Sequence, residues 1–247
     1  MRGNPLRRAV SGEPVLLAAG SAPLVIAAGH ASRAAGVRAV VIGGLGVICR
    51  LQRAHRATGD VDTATDGHNS LSLVARIPGA SLDGKDITID GVIVQVIDTY
   101  ELDDDVADIE PETNQLFVVS HRYAYETAEP VRVIAGDSVD EILELATPAA
   151  LLATKAHALE DRHEPRKRAS DTTDIIGLLG ANEDQIIEAL LGAPHSLGAL
   201  VARSIRRTLI EDAARRARDL VAFGDADWAV PADQIASSAR RLCDELA

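Results

Sequence analysis

Two aspartates, Asp60 and Asp62, lie two residues apart and follow a pair of glycines, Gly43 and Gly44. On a β-strand, residues two apart point to the same face, so both carboxylates would aim at one point in space. Converging carboxylates hold hard divalent cations such as Mg2+, which keep coordination sites open for water and for substrate phosphates. Glycines let a backbone approach a phosphate group closely. Together these residues predict metal-assisted transfer of a nucleotidyl or phosphoryl group.

Each of these features also has an ordinary structural explanation. A Gly-Gly pair is most often a simple turn, and an Asp-x-Asp pair is common on solvated strand ends. Their joint order is less common. It runs from an apolar segment over 37–42 through the glycines and a helix-compatible stretch over 45–54 to Arg56, Thr58 and the two acids.

This order resembles the nucleotidyltransferases of the DNA polymerase β superfamily. Within them it is most similar to the minimal nucleotidyltransferases that serve as toxins in AbiE-type, or type IV, toxin–antitoxin systems. The resemblance rests on Ile42-Gly43-Gly44, on the run Arg56-Ala57-Thr58-Gly59-Asp60-Val61-Asp62, and on a distal segment over 151–175 that carries Lys155, Arg162 and Asp174. It covers residues 37–180 and implies a polymerase β-like fold.

The resemblance also implies roles for the matching residues. Asp60 and Asp62 would bind the catalytic metal ions, Mg2+ or Mn2+. Asp174, or Asp171 one turn earlier, would fill the last acidic position of the family and orient the lysine or the acceptor. The nucleoside triphosphate (NTP) would be held by Gly43, Gly44, Arg56, Thr58 and Lys155. The alternative for Lys155, Arg162 and Asp174 is a solvated helix face with weak salt bridges.

One position departs from the family pattern. The superfamily usually adds a third carboxylate from a later strand, and here Gln95 lies at that position. Glutamine offers a neutral carbonyl oxygen to a cation but cannot act as a base. Asp98 has the opposite strand parity and substitutes only if a bulge shifts the register. Either the site works with two carboxylates, or the protein is a degenerate nucleotidyltransferase that binds a partner without transfer.

The elements that must position these residues predict an α/β (α+β) fold. We expect a nucleotidyltransferase unit with a mixed sheet over 1–137 and a helical C-terminal unit over 138–247. Residues 15–36 are predicted as helical stretches broken at 20–23, and Asp90-Gly91 predicts a hairpin turn. Strands are predicted over 37–42, at Asp60 and Asp62, and over 87–89, 92–97, 116–120 and 131–134.

From residue 138 the pattern is helical. Ser138-Val139-Asp140-Glu141 fits a capping box that opens a helix, and Pro148 is typical of the first turn of another. Apolar residues then recur with helical periodicity over 149–160, 171–180, 184–191, 197–221 and 232–246.

Composition limits the classes of partner. The 247 residues include 37 acidic and 25 basic side chains, for a net charge of −12, which excludes a generally basic nucleic-acid binder. The net charge does not exclude a local basic surface, because segments 162–168 and 203–218 carry net charges of +3 and +4. An ordinary charged helix face explains them equally well. Eight carboxylates over 98–112 indicate a solvated loop or a surface for a basic partner.

The remaining features give little sign of a second chemistry. The two cysteines, Cys49 and Cys243, lie far apart, so we expect neither a disulfide framework nor a cysteine metal site, as in a reducing cytoplasm. The seven histidines show no metal-ligand spacing, and we expect them to be surface or structural. Pro14, Gly20 and Pro23 interrupt the apolar run near the N-terminus, so no membrane partner is predicted. The resemblance implies as partners an NTP, RNA through the 3′ end of tRNA, and a cognate antitoxin.

Overall fold

A computed structural model of the protein describes residues 12–34, 36–52, 58–67, 69–84, 86–102, 106, 108–224 and 229–247. Eight strands lie within these residues: β1 (Val15–Leu17), β2 (Val40–Ile42), β3 (Asp60–Asp66), β4 (Ser81–Asp83), β5 (Asp86–Ile89), β6 (Val92–Thr99), β7 (Glu129–Ala135) and β8 (Val139–Leu145). The α-helices of the same residues are α1 (Ala22–Arg33), α2 (Gly43–Leu51), α3 (Ser70–Val74), α4 (Glu112–Thr127), α5 (Pro148–Asp161), α6 (Pro165–Leu191), α7 (Leu197–Ile205), α8 (Ala213–Phe223) and α9 (Ala232–Glu245). A π-helical segment, Arg206–Glu211, joins α7 to α8.

All eight strands form one mixed sheet in the order β1-β7-β8-β2-β3-β6-β5-β4. The pairs β1–β7, β8–β2 and β3–β6 are parallel, and the other neighbours are antiparallel. This confirms the mixed α/β class. The division of the chain into two units stays a prediction, and β8 continues the sheet beyond residue 137.

Alternating side chains of the sheet enter two cores. Val41, Val61 and Val94 face one core together with α1, whereas Ile42 and Ala64 face the other, which the C-terminal helices complete. Because side chains alternate along a strand, Asp60 and Asp62 share the face of Ala64. The two aspartates therefore lie on the side of the sheet that the helical layer covers.

Local signals of the sequence account for several elements. Asp90 and Gly91 have φ values of +50° and +81°, which is the left-handed backbone of a tight hairpin turn between β5 and β6, so that prediction is confirmed. Helix α5 begins with Pro148 at its first turn, and the Thr147 hydroxyl accepts a bond from the Ala150 N–H at 3.4 Å. The short segment 71–77, whose apolar residues fit a helix or a strand, lies partly in α3.

Three predicted elements have a different conformation. Residues 15–17, predicted as helical, form β1, because Val15 and Leu17 are buried while Leu16 between them is 63% exposed. The segment 116–120, predicted as a strand, lies in α4. Its buried residues recur at helical rather than alternate spacing, at Leu116, Val119, Ser120, His121, Tyr123 and Ala124.

The capping box predicted at Ser138 does not begin a helix, since residues 139–145 form β8. Gly136, with a φ of +60°, turns the chain between β7 and β8. Val139, Leu143 and Leu145 then face the core with a period of two. The spacing of Ser138 and Glu141 matches a capping box, but burial along the segment follows a strand.

The predicted helices after residue 148 are confirmed, although α6 joins the segments 171–180 and 184–191 across a kink at Asn182. The segment 197–221 is divided into α7, the π-helical segment and α8. None of the helices within the described residues is both long enough and apolar enough to cross a membrane.

Candidate functional site

A cavity of about 430 Å3 opens between the sheet and the helices that follow it. The sheet side contributes Ile42, Gly43, Asp62, Gln95 and Ile97, at the carboxyl end of β2 and on β3 and β6. Helix α4 and helix α5 form the opposite wall, and the start of α6 contributes Lys167. The cavity is within the size range of small-molecule and cofactor sites.

Gly43 and Asp62 meet because of the register of the sheet. Asp62 of β3 lies opposite Ile42, the last residue of β2, so the next residue, Gly43, begins α2 beside the Asp62 carboxylate. A Cβ atom at position 43 would overlap the carboxylate oxygen Oδ2, and the φ of Gly43 is +63°. Only glycine fits this position without displacement of Asp62. Gly44 is buried in the first turn of α2.

Asp60 and Asp62 lie on the same face of β3, as predicted, but only Asp62 lines the cavity. The Asp60 carboxylate accepts a hydrogen bond from the Thr58 hydroxyl at 3.2 Å. Burial raises the pKa of Asp62; the Lys155 ammonium opposes this shift, and the neighbouring Asp60 carboxylate reinforces it. A cation beside Asp62 would relieve the cost of its buried charge.

Lys155 is held by two buried carboxylates. Its Nζ lies 2.8 Å from Asp171 Oδ1 and 2.9 Å from Asp174 Oδ2. Arg162 Nε reaches the other oxygen of Asp171 at 2.8 Å. Lys155, Asp171 and Asp174 are 5%, 2% and 0% exposed, so the alternative of a solvated helix face is wrong for Lys155 and Asp174. The Arg162 side chain, to which the same alternative applied, is 35% exposed. Buried charges are expensive unless paired, and such clusters are common at functional sites.

The register of β6 shows which side chain faces Asp62. Gln95 lies directly beside Asp62 in the parallel β3–β6 pair and lines the cavity. Asp98 pairs with Thr65, whose hydroxyl donates to the Asp98 carboxylate at 2.6 Å. Asp98 therefore lies on the opposite face of the sheet, and the two strands pair without a bulge from Asp60 to Asp66.

The oxygens of Asp60, Asp62 and Gln95 form the donor set available for a divalent cation. Carboxylate and amide oxygens are the ligands that Mg2+ prefers, and the burial of Asp62 favours a bound cation, so these residues fit the ion. Among the described residues, no group of three or more His, Cys, Asp and Glu side chains is arranged to hold a metal. A metal here would depend on two carboxylates and an amide.

Of the remaining predicted residues, Arg56 lies outside the described part of the chain. Thr58 reaches Asp60 but does not line the cavity. Gly43, Asp62, Lys155 and Arg162 are in the cavity wall, whereas Gly44, Asp171 and Asp174 do not line it. The structure thus brings the N-terminal and distal motifs to one place, although more than 90 residues separate Asp62 from Lys155.

Sequence reasoning missed an aromatic cluster in the same cavity. The ring centroid of Phe117 lies 4.3 Å from that of His121 and 5.1 Å from that of His157. His121 Nδ1 lies 2.7 Å from the Phe117 carbonyl oxygen, which can only accept, so Nδ1 carries the proton of the neutral ring. Phe117 and His121 stand four residues apart, which places them on one helix face, but the segment 116–120 was predicted as a strand.

Burial keeps both histidines of the cluster neutral. It lowers the pKa of His121 to about 4, and burial also lowers the pKa of His157. His121 is buried and His157 is half-buried, and both line the cavity. The expectation that the histidines are surface or structural residues stays a prediction.

The arginine-rich segments are largely engaged within the chain. Arg168 and Arg216 are 4% and 3% exposed, and both contact Asp219. Arg168 makes two hydrogen bonds to that carboxylate, at 2.8 and 3.2 Å, which join α6 to α8. These two arginines are structural ion-pair partners rather than part of an accessible basic surface.

Other cations of the same segments have different environments. Arg203 and Arg207 each lie 2.9 Å from Glu112, the last acid of the acidic run 98–112. Arg166 and Lys167 are exposed on the first turn of α6, and Lys167 lines the cavity. Within the described residues, the start of α6 therefore places exposed positive charge at the cavity.

Comparison with known proteins adds no family assignment: no protein-family model matches the chain, and no curated protein matches it.

Proposed function

We propose that this protein is a metal-dependent nucleotidyltransferase with a polymerase β-like fold, which transfers a nucleoside monophosphate from an NTP to an acceptor. The observation that carries the proposal is the convergence of Gly43, Asp62 and Lys155 on one cavity. These residues come from two distant motifs, and both motifs belong to the resemblance on which the function was predicted. A helix start, a carboxylate pair and a buried lysine are the parts that this reaction requires.

In this proposal each group has a distinct task. Asp60 and Asp62, with the Gln95 carbonyl oxygen, would hold Mg2+, which supplies charge neutralisation for the transferring phosphoryl group. The backbone N–H groups at the start of α2 would face the triphosphate, which Gly43 allows to approach closely. Lys155 would offer its ammonium to the phosphates, while Asp171 and Asp174 hold it in place.

The acceptor in this proposal is RNA, at the 3′ end of tRNA, as the resemblance implies. Exposed Arg166 and Lys167 beside the cavity support it, because cations at the entrance would meet a phosphate backbone. The proposal extends to growth inhibition by the active protein and to its neutralisation by a cognate antitoxin. Induced expression in a bacterial host should slow growth, and Asp62→Ala should remove that effect.

A second candidate function is a degenerate nucleotidyltransferase that binds a partner without transfer. Gln95 favours it, because it lies in register with Asp62, where a third carboxylate would otherwise complete the metal site. Asp98 cannot replace it from the opposite face. This alternative predicts no measurable affinity for Mg2+–NTP.

The decisive experiment combines the purified protein with Mg2+, each α-labelled NTP and total RNA. We expect label in RNA with the wild type and with Asp98→Asn, and none with Asp62→Asn. Asp98→Asn is the matched control, because it makes the same change on the neighbouring strand but on the other face of the sheet. Equal labelling by the wild type and Asp62→Asn would refute the proposed reaction.

A further inference from the structure

The cavity wall contains two chemically different groups of side chains, which we call its charged end and its aromatic end. The charged end comprises Asp62, Lys155 and Arg162, and the charges of Lys155 and Arg162 act on the Asp62 carboxylate. The other is formed by Phe117, His121 and His157, whose rings are in mutual contact, with His121 and His157 centroids 6.3 Å apart. A ligand that fills the whole cavity would therefore combine a charged part, which in the proposed function is a phosphate group with its Mg2+, and a flat apolar part.

The aromatic end is unsuited to phosphate. Both histidines are neutral near pH 7, because burial disfavours their protonated forms. The Nδ1–H of His121 is already donated to the Phe117 carbonyl oxygen at 2.7 Å. Phe117 and His157 are only partly buried, so their rings remain available from the cavity. Flat, uncharged rings of this kind bind nucleobases by stacking.

We propose that Phe117 and His157 form the nucleobase subsite of this cavity, with the triphosphate directed to the end that contains Asp62 and Lys155. His121 supports the subsite by fixing the position of the Phe117 ring. This inference rests on the proposed function, since it assigns the base of the same NTP. It also explains why α4 carries two aromatic side chains, four residues apart, toward the cavity.

The test compares two probes, an NTP and inorganic tripolyphosphate, each bound in the presence of Mg2+ and measured by calorimetry. Tripolyphosphate reports the charged end alone, whereas the NTP reports both ends. We expect Phe117→Leu to weaken NTP binding about tenfold, as stacking contributions suggest, and to leave tripolyphosphate binding unchanged. Phe223→Leu, the same change at an exposed position of α8, is the matched control and should leave both affinities unchanged.

The outcomes separate this inference from the proposed function. If the wild type binds no Mg2+–NTP, the proposed function fails and the base subsite with it. If the wild type binds but Phe117→Leu weakens both probes equally, or neither, the base subsite alone is refuted. Should Phe117→Leu fail to fold, His157→Ala applies the same comparison from α5, and a selective loss of NTP affinity would support the subsite, whereas an equal effect on both probes would overturn it.

Discussion

Replacement of Gly43 by alanine tests whether the Asp62 carboxylate really lies against the start of α2. Two costs arise. A residue with a side chain at a φ of +63° costs about 1–2 kcal/mol, and displacement of the Asp62 side chain from its rotamer costs about 0.5–1.5 kcal/mol. The unfolding free energy should therefore fall by about 1.5–3.5 kcal/mol.

Gly36→Ala separates these two costs. Gly36 has a φ of +80°, but no atom lies within 4 Å of the position of its Cβ. It should lose only the backbone contribution, so Gly43→Ala should be less stable than Gly36→Ala by about 1 kcal/mol in denaturant unfolding. Displacement of Asp62 should also weaken Mg2+ binding by about 10- to 100-fold, whereas Gly36→Ala should not affect it. Equal stability and equal Mg2+ affinity in the two variants would refute this reasoning.

Three further predictions concern buried titratable groups. Because burial raises the pKa of Asp62, the ionised form of this carboxyl destabilises the folded state above that pKa. Asp62→Asn should therefore raise the urea midpoint of unfolding at pH 7, and it should raise that midpoint less in acid. Burial lowers the pKa of His121 to about 4 in the folded protein, so the unfolded chain takes up the proton first and the folded state loses stability as pH falls below about 6.5. His121→Phe should reduce this loss of unfolding free energy by up to about 3 kcal/mol, measured by urea unfolding at several pH values. Asp219→Ala leaves Arg168 buried without its carboxylate and should cost about 3–5 kcal/mol, whereas Asp212→Ala, at an exposed carboxylate, should change the unfolding free energy by less than about 0.5 kcal/mol.

The parts of the site that could be predicted from the sequence are those that depend on local spacing. Asp60 and Asp62 share a strand face because side chains alternate, and Gly43 directly follows a buried strand. The pairing of Asp62 with Gln95 is a different matter, since it depends on the register between two strands more than 25 residues apart. The sequence could anticipate only which side chain shares the face of Asp62. Gln95 and Asp98 are an odd number of residues apart, so they lie on opposite faces of β6, and the structure confirms this.

The missed elements share one physical cause. Residues 116–120 and 139–145 contain apolar and β-branched residues that fit either periodicity over a short window, and tertiary burial decided between them. Because 116–120 was predicted as a strand, Phe117 and His121 were not expected on one helix face. The sequence also could not predict that Lys155 and Asp174 are buried, because a charged residue gives no local sign of a buried partner.

Strand β8 also sets an order of events during synthesis. It pairs with both β7 and β2, and so it joins the two parts of the sheet, with Val40 beside Glu144. A nascent chain that has passed Asp62 still has an open edge on β2 until β8 leaves the ribosome, and Lys155 follows directly after. Because the pairing is distant in sequence, the growing chain exposes an unpaired edge of β2 while the residues between Ile42 and Val139 are synthesised. Asp60, Asp62 and Lys155 can come together only after β8 and α5 have been synthesised. A chain interrupted before β8 would therefore have neither the complete sheet nor the cavity.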